Sequence, residues 1–103
     1  MKHKNMAVKT AIVGLGIMGR RMLEHLIIHS GYKPVSLWDP NPKACKQAQM
    51  LAPDALVTAS ADAAIELAAQ IYFSCPPPPR KADALKAAAA GKAIFLEKPL
   101  RVN

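Results

Sequence analysis

Short β-branched, apolar runs alternate with stretches of helical periodicity along this chain, and that alternation restricts the fold more than any other feature. Residues 8–13 (VKTAIV) read as a first strand that stops at Gly14. Residues 17–30 carry Ile17, Met18, Met22, Leu23, Leu26 and Ile27 at helical spacing, and Gly31 ends the pattern. Residues 34–38 (PVSLW) form a second strand, punctuated by Asp39-Pro40. Asn41 is placed to cap a helix that has Pro42 in its first turn and runs to about residue 51. A weak third strand covers 55–58, and a helix over 60–68 starts at Ser60 with Asp62 in its first turn. Residues 70–75 (QIYFSC) make a fourth strand, cut off by the prolines at 76–79. An alanine-rich helix over 80–90 closes at Gly91, and a fifth strand covers 93–96 (AIFL).

Five strands alternating with four helices call for a parallel sheet, because each right-handed crossover returns the chain in the same direction. The strands are continuously apolar, as strands with helices on both faces must be. The expected fold is α/β: a doubly wound parallel sheet of Rossmann type in three α/β/α layers. The 103 residues suffice for one domain, 1–103, and are too few for two. There is no internal repeat and no long linker. The tetraproline could be a stiff ligand for a partner domain, but its place at a strand end favours a rigid loop facing a bound ligand.

Composition removes several function classes. Apolar residues are 51% of the chain, which argues against disorder. No apolar run approaches the roughly 18 residues of a membrane helix. The basic start, residues 1–5, lacks the apolar stretch and cleavage site of a secretory leader, so a cytoplasmic location is expected. Cys45 and Cys75 lie far apart, the three histidines are scattered, and neither set has metal-ligand spacing. The cysteines read as free thiols. The net charge of +7 favours an anionic partner, yet the cations are dispersed and aromatics are only 5%. Nucleic acid is therefore not expected, although the charge alone keeps that alternative in view. A dinucleotide pyrophosphate is also an anion.

The segment Gly14-Leu15-Gly16-Ile17-Met18-Gly19 matches GxGxxG, with a strand before it and an amphipathic helix after it. Each glycine has its own reason. Gly14 permits the tight turn, Gly16 leaves room for a pyrophosphate, and Gly19 lets the helix pack closely. The unpaired N–H groups at the helix start face the phosphates. The competing reading is a plain glycine-rich turn. Asp39 ends the second strand, 20 residues beyond Gly19, where an acidic side chain accepts hydrogen bonds from the adenosine ribose hydroxyls. Its carboxylate would repel a 2′-phosphate and so favours NAD. Nearby Lys43 leaves NADP open, and a turn aspartate is the alternative. Arg20 and Arg21 read as a solvated helix face.

Beyond the fifth strand stands Glu97-Lys98-Pro99. Ligands of open parallel sheets bind past the carboxyl ends of the strands, where this tripeptide, Asp39, Cys75-Pro76 and the glycine turn all fall. A lysine there can hydrogen-bond a substrate hydroxyl and, with a lowered pKa, pass a proton. Taken alone, an EKP tripeptide is an ordinary polar turn.

Together these marks resemble the Gfo/Idh/MocA family of NAD(P)-dependent oxidoreductases over residues 9–100. The resemblance rests on the glycine turn, on Asp39, on Cys75-Pro76, and on Gly91-Lys92 leading through a strand to Glu97-Lys98-Pro99. It implies hydride transfer between a nicotinamide and a sugar or polyol carbon. It also implies that Lys98 assists catalysis, that Glu97 positions the nicotinamide ribose, and that Cys75 and Pro76 line the cofactor. The family commonly has a histidine a few residues further on, where this chain has Arg80. The family's second, substrate-binding domain has no counterpart before Asn103. The 103 residues alone are therefore expected to bind cofactor weakly, if at all, and to show no appreciable turnover. A polyhydroxylated substrate is expected only with such a domain. Two further readings stay open. The run GLGIMGRRM also resembles the opening of β-hydroxyacid dehydrogenases, though those tend to carry Asn-Arg where this chain has Trp38-Asp39. A lone nucleotide-binding fold can also serve as a sensor or a subunit.

Overall fold

The structure is a computed structural model that describes residues 7–74 and 81–96. Strands β1 (Val8–Val13), β2 (Tyr32–Trp38), β3 (Leu56–Val57), β4 (Gln70–Phe73) and β5 (Ala93–Leu96) alternate with helices α1 (Ile17–Ile28), α2 (Pro42–Leu51), α3 (Ala61–Glu66) and α4 (Lys81–Ala89). The strands form one sheet in the order β3-β2-β1-β4-β5, and every pairing is parallel. The expected doubly wound architecture is therefore present.

The two-residue period of the strands divides the core. Ile12, Leu37 and Tyr72 point to one face, where Leu23 and Leu26 of α1 and Ala44 and Ala48 of α2 cover them. Ala11, Val13, Ile71 and Phe73 point to the other, under Ala61, Ala64 and Ile65 of α3 and Ala87 of α4. The alanines let α3 and α4 approach the sheet closely. Ser36, fully buried in β2, donates from Oγ to the Ala64 carbonyl at 2.8 Å, so its hydroxyl is satisfied within that packing. Each fully buried side chain of the size of Leu23 or Phe73 contributes about 1.5–3 kcal/mol. Their rows extend to the carboxyl ends of β1 and β4, which makes that edge a rigid support.

The element bounds differ from the sequence reading in instructive ways. β2 starts at Tyr32, two residues before the expected Pro34. The register with β1 slips there: Thr10 pairs with Pro34 and Ala11 with Ser36, leaving Val35 as the extra residue. Pro34 has no N–H for the ladder, and the irregularity absorbs the loss. α1 ends at Ile28 and not at residue 30. His29 turns extended (φ −98°, ψ 116°), and its Nδ1 accepts the Gly31 N–H at 3.0 Å. α3 covers only Ala61–Glu66, because Leu67 and Ala68 bond back to Ala64 and Ile65 in a tighter turn. The expected Cys75 end of the fourth strand, the tetraproline and Arg80 lie outside the described residues. Among the described residues, no helix is long and apolar enough to cross a membrane.

Candidate functional site

Because every strand runs the same way, all the carboxyl ends share one edge. The order β3-β2-β1-β4-β5 puts β1 beside β4, and the chain leaves these two strands on opposite faces of the sheet. That divergence opens a crevice at their ends, the usual ligand position in open α/β sheets. The glycine turn fills its floor.

The turn is tethered on several sides. Gly14 has φ +102°, a left-handed backbone that glycine adopts without steric cost. Its N–H donates to the Trp38 carbonyl at 2.8 Å, and its carbonyl accepts the Ser74 hydroxyl at 2.6 Å. Leu15 buries its side chain completely in the core. Its N–H donates to Asp39 Oδ2 at 2.6 Å, and its carbonyl accepts from Arg20 Nη1 at 2.9 Å. The other carboxylate oxygen, Oδ1 of Asp39, accepts the Asn41 N–H at 2.7 Å. A Cβ on Gly19 would strike the Gly14 carbonyl and come within 2.9 Å of Ser74 Oγ, so only glycine allows this closeness.

Gly16 is the N-cap of α1, and no side chain caps that helix start. The first intrahelical bond near the turn runs from Arg20 N–H to the Gly16 carbonyl at 2.9 Å. The N–H groups of Ile17, Met18 and Gly19 thus precede the helical ladder and have no acceptor within it. The first turn carries no acidic residue that would neutralise this positive helix end. A Cβ on Gly16 would meet nothing within 4 Å, so open space adjoins those donors. An uncapped helix start, free volume and a first turn without acidic residues together suit a phosphate group.

Next to the turn, beyond β2 and β3, lies a cleft of about 660 Å³ lined by Trp38, Asp39, Pro42, Cys45, Lys46 and Thr58 among others. It is roomy enough for one half of a dinucleotide, and Asp39 forms the wall it shares with the turn. Asn41 caps α2 by accepting the Lys43 N–H at 2.9 Å, and Cys45 Sγ donates to the Asp39 carbonyl at 3.3 Å. Both bonds hold the Asp39 segment in place. Another opening, of about 390 Å³, lies at the opposite, amino edge beside Tyr32 and Ala55, far from the glycine turn.

The structure thus brings together Gly14, Leu15, Gly16, Ile17, Met18, Gly19 and Asp39 from the sequence reading. Cys75, Pro76, Arg80, Glu97, Lys98 and Pro99 lie outside the described residues. Sequence reasoning missed Ser74 and Arg20 as parts of this constellation. A serine at a strand end carries no distinctive signal, and an arginine on an amphipathic helix looks like a solvated one. No cluster of metal-ligating side chains occurs among the described residues.

The family model described as "Oxidoreductase family, NAD-binding Rossmann fold" (GFO_IDH_MocA) matches residues 8–103. No curated protein sequence matches. Among solved structures, a myo-inositol dehydrogenase from Lactobacillus casei, in complex with NAD(H) and myo-inositol, is 27% identical with a TM-score of 0.82; the match covers 92% of this chain and 29% of that one. The myo-inositol 2-dehydrogenase of Lactobacillus plantarum is 25% identical, with a TM-score of 0.81 and coverage of 94% and 30%. GenD2 from gentamicin A biosynthesis, in complex with NAD, is 24% identical, with a TM-score of 0.81 and coverage of 96% and 29%, a likeness of fold. The chain spans about 30% of the length of these proteins. With the family match over nearly the whole chain, the parallel sheet and the tethered glycine turn, this chain belongs to the Gfo/Idh/MocA oxidoreductase family and forms its NAD-binding Rossmann fold.

Proposed function

We propose that this chain holds NAD for an oxidoreductase acting on a sugar or polyol, with the substrate enclosure supplied by polypeptide beyond these 103 residues. The observation that carries the reading is the position of Asp39, whose carboxylate meets the glycine turn at the Leu15 N–H, 2.6 Å away. A pyrophosphate received by the N–H groups of Ile17, Met18 and Gly19 would leave its adenosine ribose next to that carboxylate. The ribose hydroxyls would donate to the lone pairs that the Leu15 and Asn41 amides leave unused. The adenine would then enter the cleft between Trp38, Cys45 and Thr58.

The pinned carboxylate supports NAD in preference to NADP. Both of its oxygens hold backbone amides, so it cannot swing aside for a 2′-phosphate. When bound, the nicotinamide accepts or donates a hydride. The chain's own part is to bind and orient it. By family resemblance, Glu97 would position the nicotinamide ribose and Lys98 would hydrogen-bond the substrate hydroxyl and move its proton. Cys75, Pro76 and Arg80 would line the nicotinamide side. Similarity to dehydrogenases of myo-inositol supports a polyhydroxylated substrate. Hydride transfer needs both reactants held in a dry, oriented site, and this chain covers about 30% of those proteins.

A fluorescence titration with NADH tests the reading. Saturable enhancement with NADH, markedly weaker with NADPH, is expected. Absence of any response to either nucleotide, at concentrations high enough to register weak binding, would contradict it. Steady-state dehydrogenase activity of the isolated chain would contradict the need for further polypeptide.

A further inference from the structure

We infer that Arg20 is a positioning residue for the phosphate-binding turn, acting with Asp39 as a clamp of opposite charges on a single residue, Leu15. The inference rests on the dinucleotide reading above and extends it to a residue outside the glycine motif.

Leu15 is the residue between the first two glycines, and both of its backbone polar groups are held by charged side chains. Its N–H donates to the Asp39 carboxylate at 2.6 Å, and its carbonyl accepts from the Arg20 guanidinium at 2.9 Å. Hydrogen bonds with one charged partner are roughly twice as strong as neutral ones. The two bonds polarise the same residue from opposite ends: the carboxylate draws on the N–H and the guanidinium on the carbonyl. The Leu15 side chain, fully buried, supplies a third fixed point. The turn on the amino side of Gly16 therefore cannot rotate without breaking a charged bond or exposing a leucine.

The clamp serves the ligand in a specific way. The donors that would receive a pyrophosphate begin within two residues of Leu15, and Gly16 is open on its free side. Glycine on both sides of Leu15 would otherwise give the turn many conformations, and ligand binding would have to order them. Arg20 sits one turn into α1, where its backbone N–H bonds Gly16 and its side chain reaches back to Leu15. One residue thus ties the helix start to the turn twice. Its guanidinium also adds positive charge at the helix end that lacks any acidic residue. Asp39 links this clamp to the ribose position, so the pyrophosphate and ribose contacts share one rigid frame.

The test compares Arg20→Met, which keeps the apolar stem and loses the donor, with Arg20→Lys, which restores one donor and the charge. Two quantities are read on the full chain: amide hydrogen exchange and the Kd for NADH. In Arg20→Met, Leu15 exchange accelerates about tenfold while the sheet amides of Ile12 and Leu37 stay unchanged, which separates local loosening from global destabilisation. The NADH Kd rises about tenfold, and Arg20→Lys recovers most of both effects. Unchanged Leu15 exchange in Arg20→Met overturns the clamp, however well the wild type binds NADH. Faster exchange with an unchanged Kd overturns the positioning role. Wild-type protein that ignores NADH overturns the dinucleotide reading instead, and the exchange data still decide the clamp.

Discussion

The hydroxyl of Ser74, at the end of β4, donates to the carbonyl of Gly14, at the end of β1, across 2.6 Å. The bond spans the point where the two halves of the sheet diverge. The Ser74 N–H also bonds the Val13 carbonyl at 2.9 Å, so the last rung of the ladder and the hydroxyl act together to fix the crevice floor. Ser74→Ala leaves the Gly14 carbonyl without this partner and costs about 0.5–1.5 kcal/mol. For a domain of this size that lowers Tm by several degrees. Thermal unfolding followed by circular dichroism checks it, and an unchanged Tm would show the bond to be dispensable.

Gly16 and Gly19 separate binding from stability. A Cβ at Gly16 meets nothing within 4 Å, and its φ of −72° suits any residue. Gly16→Ala therefore leaves stability within about 1 kcal/mol of wild type, while the new methyl occupies space meant for phosphate. NADH affinity falls at least tenfold. Gly19→Ala instead forces backbone apart at Gly14 and costs about 1–3 kcal/mol together with binding. Denaturant titration alongside NADH fluorescence distinguishes the two. Equal stability loss in both variants would contradict the assignment.

Asp39→Ala removes the partner of two amides and strands the one that is partly buried, that of Leu15, while the exposed Asn41 amide turns to water. Stability falls by about 1–3 kcal/mol. The preference for NADH over NADPH narrows, because the carboxylate that repels a 2′-phosphate is gone. Competitive titration with both nucleotides measures the ratio, and an unchanged ratio would remove Asp39 from the ribose position.

Lys92 provides a control remote from the site. Its ammonium donates to the Ala68 carbonyl at 2.6 Å, just past the end of α3, where a cation also opposes the negative helix end. Lys92→Met lowers stability by about 1 kcal/mol and leaves NADH affinity unchanged. A shift in affinity would mean that the amino edge of the sheet is coupled to the turn.

How far the sequence revealed all this depends on the range of each interaction. The central strands were legible because burial on both faces imposes short apolar runs, as in residues 11–13 and 71–73; β5 at the sheet edge is apolar too, although its Phe95 is 52% exposed. The glycine turn and Asp39 were legible because a strand end, a tight turn and a helix start impose fixed spacing. Element ends were less so. Pro34 looked like a strand start because proline lacks a ladder donor, yet a register slip accommodates it inside β2. His29 and Ser30 looked helical, and only the local bond to Gly31 shows why α1 stops at Ile28. The roles of Arg20 and Ser74 are not legible in the sequence because their partners are backbone carbonyls, which leave no mark on residue identity.

The most direct test of the central claim is amide chemical-shift mapping of the chain as NAD is added, a method that also registers weak binding. The account predicts saturable shifts concentrated at residues 14–19 and at Asp39, with the amino-edge residues around Tyr32 and Ala55 unmoved. Shifts clustered at the amino edge, or none at the glycine turn at saturating NAD, would contradict it.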